Sequence, residues 1–187
     1  MRIRYENTEN FKIQQHSIAA NQKHVRTFLA YHSIIYIVSG TLHLTDNDIE
    51  QVIKEGELCL ISPGTYANPE LTNDQELIAF ILLFNRQTAQ FILKLPKVHN
   101  DLNKQSRLKS WKNPDVYIIP PNKLYKSFFD SIELYHEMKN DIRKEMIPVK
   151  FTELIYLLLD SPHQQAILSF LSDAAIYSGR EETRINA

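Results

Sequence analysis

The sequence predicts an α+β chain: a small barrel or sandwich of short antiparallel strands first, and an α-helical region second. Three observations predict it. Between His32 and Pro69, apolar residues alternate in short runs, each closed by turn chemistry. From Lys123 onward the apolar spacing lengthens to three and four residues, the period of a helix. Between these regions, residues 97–122 are polar and carry Pro114 and the Pro120-Pro121 pair, which suits a connection.

Each element has its own warrant. In the run from His32 to Leu44, the residues Ile34, Tyr36, Val38, Leu42 and Leu44 share one face of an extended segment, because side chains alternate across a strand. Ile35, Ile37, Ser39, Thr41 and His43 share the other face, and Gly40 marks a bend or bulge. Thr45-Asp46-Asn47-Asp48 reads as a turn, and Ile49 to Ile53 returns as the partner strand. Glu55-Gly56 is a second turn, after which Leu58 and Leu60 face one way while Cys59 and Ile61 face the other. Ser62-Pro63-Gly64 is a third turn, with proline fixing φ and glycine behind it. The continuous apolar run Leu77 to Phe84 is a strand covered on both faces.

The second half is helical. Leu124, Phe128, Ile132, Tyr135, Met138 and Ile142 form one stripe, with charged residues between them. Pro148 opens a second helix, where its missing N–H costs nothing, and Phe151, Leu154, Ile155, Leu158 and Leu159 form its apolar face. Asp160-Ser161-Pro162 ends that helix and starts a third through Ile167, Leu168, Phe170 and Leu171, with Gly179 as its C-cap. The expected division is therefore a strand domain over 1–96, a connection over 97–122, a helical region over 123–179 and a tail or linker start over 180–187.

Composition narrows the function. A chain of 187 residues with 43% apolar residues can bury a normal core. A net charge of −1 argues against gripping nucleic acid, which wants a basic face. The single cysteine, Cys59, excludes an internal disulfide and fits a cytoplasmic setting. No apolar run reaches the length of a membrane span and no secretory leader is evident at Met1, so no membrane partner is expected.

The order of strands and turns from His32-Ser33-Ile34-Ile35-Tyr36-Ile37-Val38-Ser39-Gly40 through Gly56-Glu57-Leu58-Cys59-Leu60-Ile61-Ser62-Pro63-Gly64-Thr65 resembles the cupin-like double-stranded β-barrel, or jelly roll, that senses signals in AraC-family transcription regulators. The helical stretch Val149 to Leu159 followed by Ser161-Pro162 is similar to the helix pair closing that regulatory domain in the ExsA-type branch. The resemblance implies a barrel that senses a small-molecule effector or a regulatory protein, and helices that form a homodimer. DNA would be read only through a C-terminal helix-turn-helix domain, which is not seen before Ala187. It also implies no enzyme activity and no cofactor.

Candidate residues follow. For an effector inside the barrel they are Phe28, His32, Ile34, Tyr36, Val38, Leu58 and Leu60, with Trp111 a further aromatic. For the dimer they are Leu154, Leu157, Leu158, Ile167, Leu168 and Leu171, because the consecutive Leu157, Leu158 and Leu159 cannot all meet one partner. The alternative is a stand-alone cupin enzyme, a metal-dependent isomerase or dioxygenase. Its metal would need a carboxylate and histidines facing inward. Ser33 stands where the glutamate would fall, Ala67 stands near the last histidine position, and His24 and His32 without the carboxylate make a weak site. His43 is expected to face solvent or lie under the helices, and Cys59 to be a buried, inert thiol.

Overall fold

The computed structural model describes residues 2–7, 11–18, 27–46, 49–69, 76–105, 114–135 and 140–177. The expected turn tip at Asn47-Asp48, His24, Trp111, Met138, Gly179 and the tail from residue 180 lie outside the described residues. The strands are β1 (Arg2–Asn7), β2 (Phe11–Ile18), β3 (Thr27–Phe28), β4 (His32–Ser39), β5 (Thr41–Asp46), β6 (Ile49–Lys54), β7 (Leu58–Ile61), β8 (Tyr66–Pro69), β9 (Leu77–Phe84) and β10 (Val116–Ile119). The helices are α1 (Arg86–Leu93), α2 (Pro96–Gln105), α3 (Lys123–Tyr135), α4 (Asn140–Leu159) and α5 (Gln164–Ile176).

Two antiparallel sheets form the strand body. One has six strands in the order β1-β2-β9-β4-β7-β10, and the other has four in the order β3-β8-β5-β6. β4 and β9 lie at the centre of the larger sheet, which is why their sequences are the most apolar: both faces are covered. Between Ile37 and Ser39 the β4–β9 register slips, so Val38 and Ser39 together oppose Ile78. The chain then turns at Gly40 (φ 83°) into the other sheet.

Burial sorts into two layers. Ile35, Ile37, Cys59, Ile61, Leu77 and Ala79 of the larger sheet meet Leu42, Leu44, Ile53 and Ala67 of the smaller one between the sheets. The opposite face of the larger sheet carries Ile34, Tyr36, Leu58, Leu60, Phe80, Leu82 and Phe84, and the helices cover it. At roughly 1.5–3 kcal/mol for each fully buried large aliphatic side chain, either layer is a substantial source of stability.

Several expectations are corrected here. Pro148 lies inside α4 and does not open it. The stripe read as a single helix through Ile142 is divided between α3 and α4. The segment read as a connection contains α2 and the edge strand β10, which pairs with β7. α1 was not foreseen; the Asn85 side chain caps it by accepting the Thr88 N–H at 3.0 Å, a bond worth about 1 kcal/mol. Asp160-Ser161-Pro162 does separate α4 from α5 as expected. Among the described residues, no helix is long and apolar enough to cross a membrane.

Candidate functional site

β4 positions the site. Its alternation sends Ser33, Ile35 and Ile37 between the sheets and His32, Ile34 and Tyr36 toward the helices. β7 does the same, with Leu58 and Leu60 on the helix side. Of the residues expected inside the barrel, then, Ile34, Tyr36, Leu58 and Leu60 do come together, but beneath the helices and not between the sheets. Val38 is half-buried against the same layer. Phe28 stands apart, 51% exposed on the edge strand β3, with its ring centroid 5.2 Å from that of Tyr66.

The helix-facing layer is aromatic. Tyr36 stacks on Phe129 of α3 with centroids 4.2 Å apart and rings 4° from parallel, and Phe80 stacks on the same ring at 5.3 Å. Further along, Phe84 meets Phe151 of α4 at 5.5 Å and Phe170 of α5 at 5.8 Å. Such pairs add about 0.5–1.5 kcal/mol beyond their area.

His32 is the polar member of this end of the layer. It is 5% exposed, and its ring lies edge-on to Phe170 at 5.3 Å and to Tyr177 at 5.2 Å. Burial pushes its pKa down to about 4, so the imidazole is neutral near pH 7 and offers one N–H donor and one lone pair. Tyr177 closes the C-terminus of α5 and is 40% exposed, so one side of the His32 cluster reaches the surface. α1 fixes that terminus: Arg86 Nε and Gln90 Nε2 each donate to the Ala175 carbonyl at 3.1 Å.

A second buried polar group lies between α3 and α4. Lys150 is 9% exposed, donates to Glu153 Oε2 at 2.7 Å, and sits over the rings of Phe128 at 5.0 Å and Tyr135 at 5.6 Å. The sequence reading missed Lys150, although a lone cation inside the apolar run from Ile147 to Leu159 was a usable signal. It also missed Tyr177, which nothing in the local pattern marks.

The residues expected at a dimer interface belong to the chain's own core. Leu154, Leu158, Ile167, Leu168 and Leu171 are all buried beneath the helices, and Leu157 is half-buried against them. The reason is that α4 packs against both α3 and α5, so its several apolar faces are met within one copy. Among the described residues of α4, the large apolar side chains left exposed are Val149 and Tyr156.

The other candidates sit elsewhere in the two sheets. Ser33 donates to the Tyr31 carbonyl at 2.9 Å, and burial holds the Cys59 thiol protonated. His43 lies on the outer face of the smaller sheet, where its Nδ1 is 3.0 Å from Glu50 Oε1. Among the described residues, no group of three or more His, Cys, Asp or Glu side chains could hold a metal ion.

Comparison with known proteins bears on this arrangement. The fold is similar to that of ToxT from Vibrio cholerae in its complex with (E)-4-(8-methylnaphthalen-1-yl)but-3-enoic acid: TM-score 0.57, 12% identity, 87% of this chain and 60% of that one. A second Vibrio cholerae ToxT structure gives a TM-score of 0.56 at 12% identity over 84% of this chain and 58% of that one. Unsaturated fatty acid-bound ToxT, also from Vibrio cholerae, gives 0.50 at 10% identity over 90% and 62%. The chain thus spans about three fifths of the length of these proteins. No curated protein sequence matches it significantly. The profile of the ExsA N-terminal regulatory domain matches residues 32–170, from the first residue of β4 to Phe170 of α5. The chain belongs to that family, the ExsA N-terminal regulatory domains of AraC type.

Proposed function

We propose that this regulatory domain senses a small apolar acid in the layer between the six-stranded sheet and the helices, self-associates, and controls a DNA-reading domain outside the residues seen here. The carrying observation is His32: a buried, neutral imidazole set among Phe84, Phe170 and the half-exposed Tyr177. Such a site would bind an apolar body by its aromatic walls and a polar head by the imidazole. Support comes from the ligands named for the similar ToxT structures, a naphthalenyl-butenoic acid and an unsaturated fatty acid, each an apolar body with a carboxylate. The acid would act by binding one arrangement of α4 and α5 better than another, since only differential affinity shifts an equilibrium.

A second reading has its own observation. Phe28 and Tyr66 form an exposed aromatic pair on the smaller sheet, a surface suited to a regulatory protein. The metal-dependent enzyme left open by the sequence is not favoured, because the family match is to a regulatory domain.

The test is a thermal melt with oleate held below its micelle concentration, on the wild type and on His32→Phe, which keeps an aromatic ring at the site. The wild type is expected to melt higher with oleate and the variant to lose that gain. No gain in the wild type overturns the small-acid reading and leaves the protein effector. An equal gain in both removes His32 from the site.

A further inference from the structure

The smaller sheet ends at β6, and among the described residues the outer side of that strand is an unpaired edge. Lys54 donates its N–H to Glu57 Oε2 at 2.7 Å, and its carbonyl accepts the Glu57 N–H at 3.0 Å. Its backbone groups therefore point away from β5. Because these groups alternate in direction along a strand, those of Glu50 and Val52 point away from β5 too, while Ile49, Gln51 and Ile53 bond across to Asp46, Leu44 and Leu42. Glu57 closes the edge at Lys54. Among the described residues, no backbone hydrogen bond reaches the outward groups of Glu50 and Val52, and Ile49 is 63% and Val52 38% exposed. Among the described residues, no strand pairs along that side. An exposed apolar edge of this kind is a template for another strand unless something guards it.

We infer that β6 pairs antiparallel with β6 of a second copy about a two-fold axis at Gln51, joining the two four-stranded sheets into one. The inference rests on the self-association proposed above and names its surface. The sequence of the strand selects the register. With the axis at Gln51, Glu50 of each copy lies opposite Val52 of the other, and the bonds formed use only backbone groups that are open. Ile49 covers the edge beside Ile53 of the second copy, and the two Gln51 amides face each other. Glu50 lies diagonal to Lys54 of the second copy, within reach of a long side chain. His43 occupies Glu50 Oε1, which leaves Oε2 for that ammonium. Moving the axis to Val52 would oppose Glu50 to Lys54, whose backbone groups are already spent on Glu57. Moving it to Glu50 would set two carboxylates against each other.

Sedimentation equilibrium of the wild type comes first, then oxidation of Gln51→Cys. At a non-hydrogen-bonded pair the Cα atoms are about 4.5 Å apart, inside the range a disulfide accepts. The native Cys59 is buried and does not compete. A wild-type dimer, a covalent Gln51→Cys dimer and a Val52→Pro monomer with an unchanged melt support the inference, since that proline removes only an outward N–H. Should Val52→Pro fail to fold, the charges decide. Glu50→Lys should weaken association by about tenfold, and adding Lys54→Glu should restore it. A wild type that stays monomeric overturns the self-association reading and this inference with it. A dimer that neither cross-links through Gln51→Cys nor responds to the charge variants overturns the β6 edge alone. Loss of that dimer with Tyr156→Asp would then place the interface on α4.

Discussion

Lowering the pH should cost this domain stability through His32, by an amount that can be worked out. The folded-state pKa is about 4 against an ordinary value of 6.5, and the cause is burial. Protonation therefore favours the unfolded chain. Above about pH 6.5 both states hold a neutral imidazole and the residue carries no penalty. As the pH falls from there toward 4, the unfolded chain binds the proton and the folded chain does not. Each pH unit then removes about 1.4 kcal/mol, roughly 3 kcal/mol over the window. Below about pH 4 both states are protonated and the loss levels off. Against a total of about 5–15 kcal/mol this is a large fraction. Urea unfolding of the wild type and of His32→Phe, from about pH 7.5 to pH 4, isolates the effect, because the other titrating groups cancel in the difference. The wild type should lose roughly 3 kcal/mol relative to the variant across that range. A difference that stays flat would refute the argument, showing that His32 is solvated or partnered by an anion.

Three further outcomes follow from burial and backbone geometry. Leu154→Asp, at a fully buried position, should prevent folding, since a cavity and an unpaired carboxylate together cost more than about 5 kcal/mol; Tyr156→Asp, at 38% exposure, should fold normally by circular dichroism. A folded Leu154→Asp of lower mass would instead return Leu154 to a dimer interface. Gly40→Ala should cost more than Gly64→Ala in urea unfolding: both have positive φ, but a Cβ at Gly40 would lie 3.0 Å from Leu77 Cα, and one at Gly64 meets nothing within 4 Å. Equal losses would show that conformation alone decides. Phe129→Ala should cost about 3–5 kcal/mol, because its ring is shared by Tyr36 and Phe80, whereas Phe28→Ala at the exposed edge should change stability by under about 0.5 kcal/mol; a small loss at Phe129 would mean that the stack is loose.

What could be read in the sequence was local chemistry. The alternation in β4 and β7, the glycine turns at Gly56 and Gly64, and the helix break at Asp160-Ser161-Pro162 all depend on neighbours a few residues apart. What could not be read depended on distant partners. β10 has only four residues, lies between Pro114 and Pro120, and is a strand because β7 offers it an edge. α1 is short, α2 sits in a polar stretch, and both gain apolar partners from α5. Pro148 marks a helix start by its own preference, yet α4 extends before it, and packing on both sides outweighs the one lost bond.

The face assignment of the candidate site failed for a more specific reason, and the failure alters the mechanism. Counting by twos from Ile34 through Leu44 puts Ile34, Tyr36, Leu42 and Leu44 on one face, but one extra residue at the Val38–Ser39 bulge shifts everything after it to the opposite face. Leu42 and Leu44 therefore join Ile35 and Ile37 between the sheets, and Ile34 and Tyr36 are left beneath the helices. Gly40 was legible as an irregularity, but a glycine alone does not reveal whether a bend or an inserted residue follows. On the proposed reading, an effector beside His32 then touches α5 without passing through the sheet, and β4 carries any displacement to the inter-sheet layer on its other face. Hydrogen exchange with and without oleate tests this. Protection should rise in α5 and β4 together, and a change confined to β5 and β6 would place the effector on the smaller sheet instead.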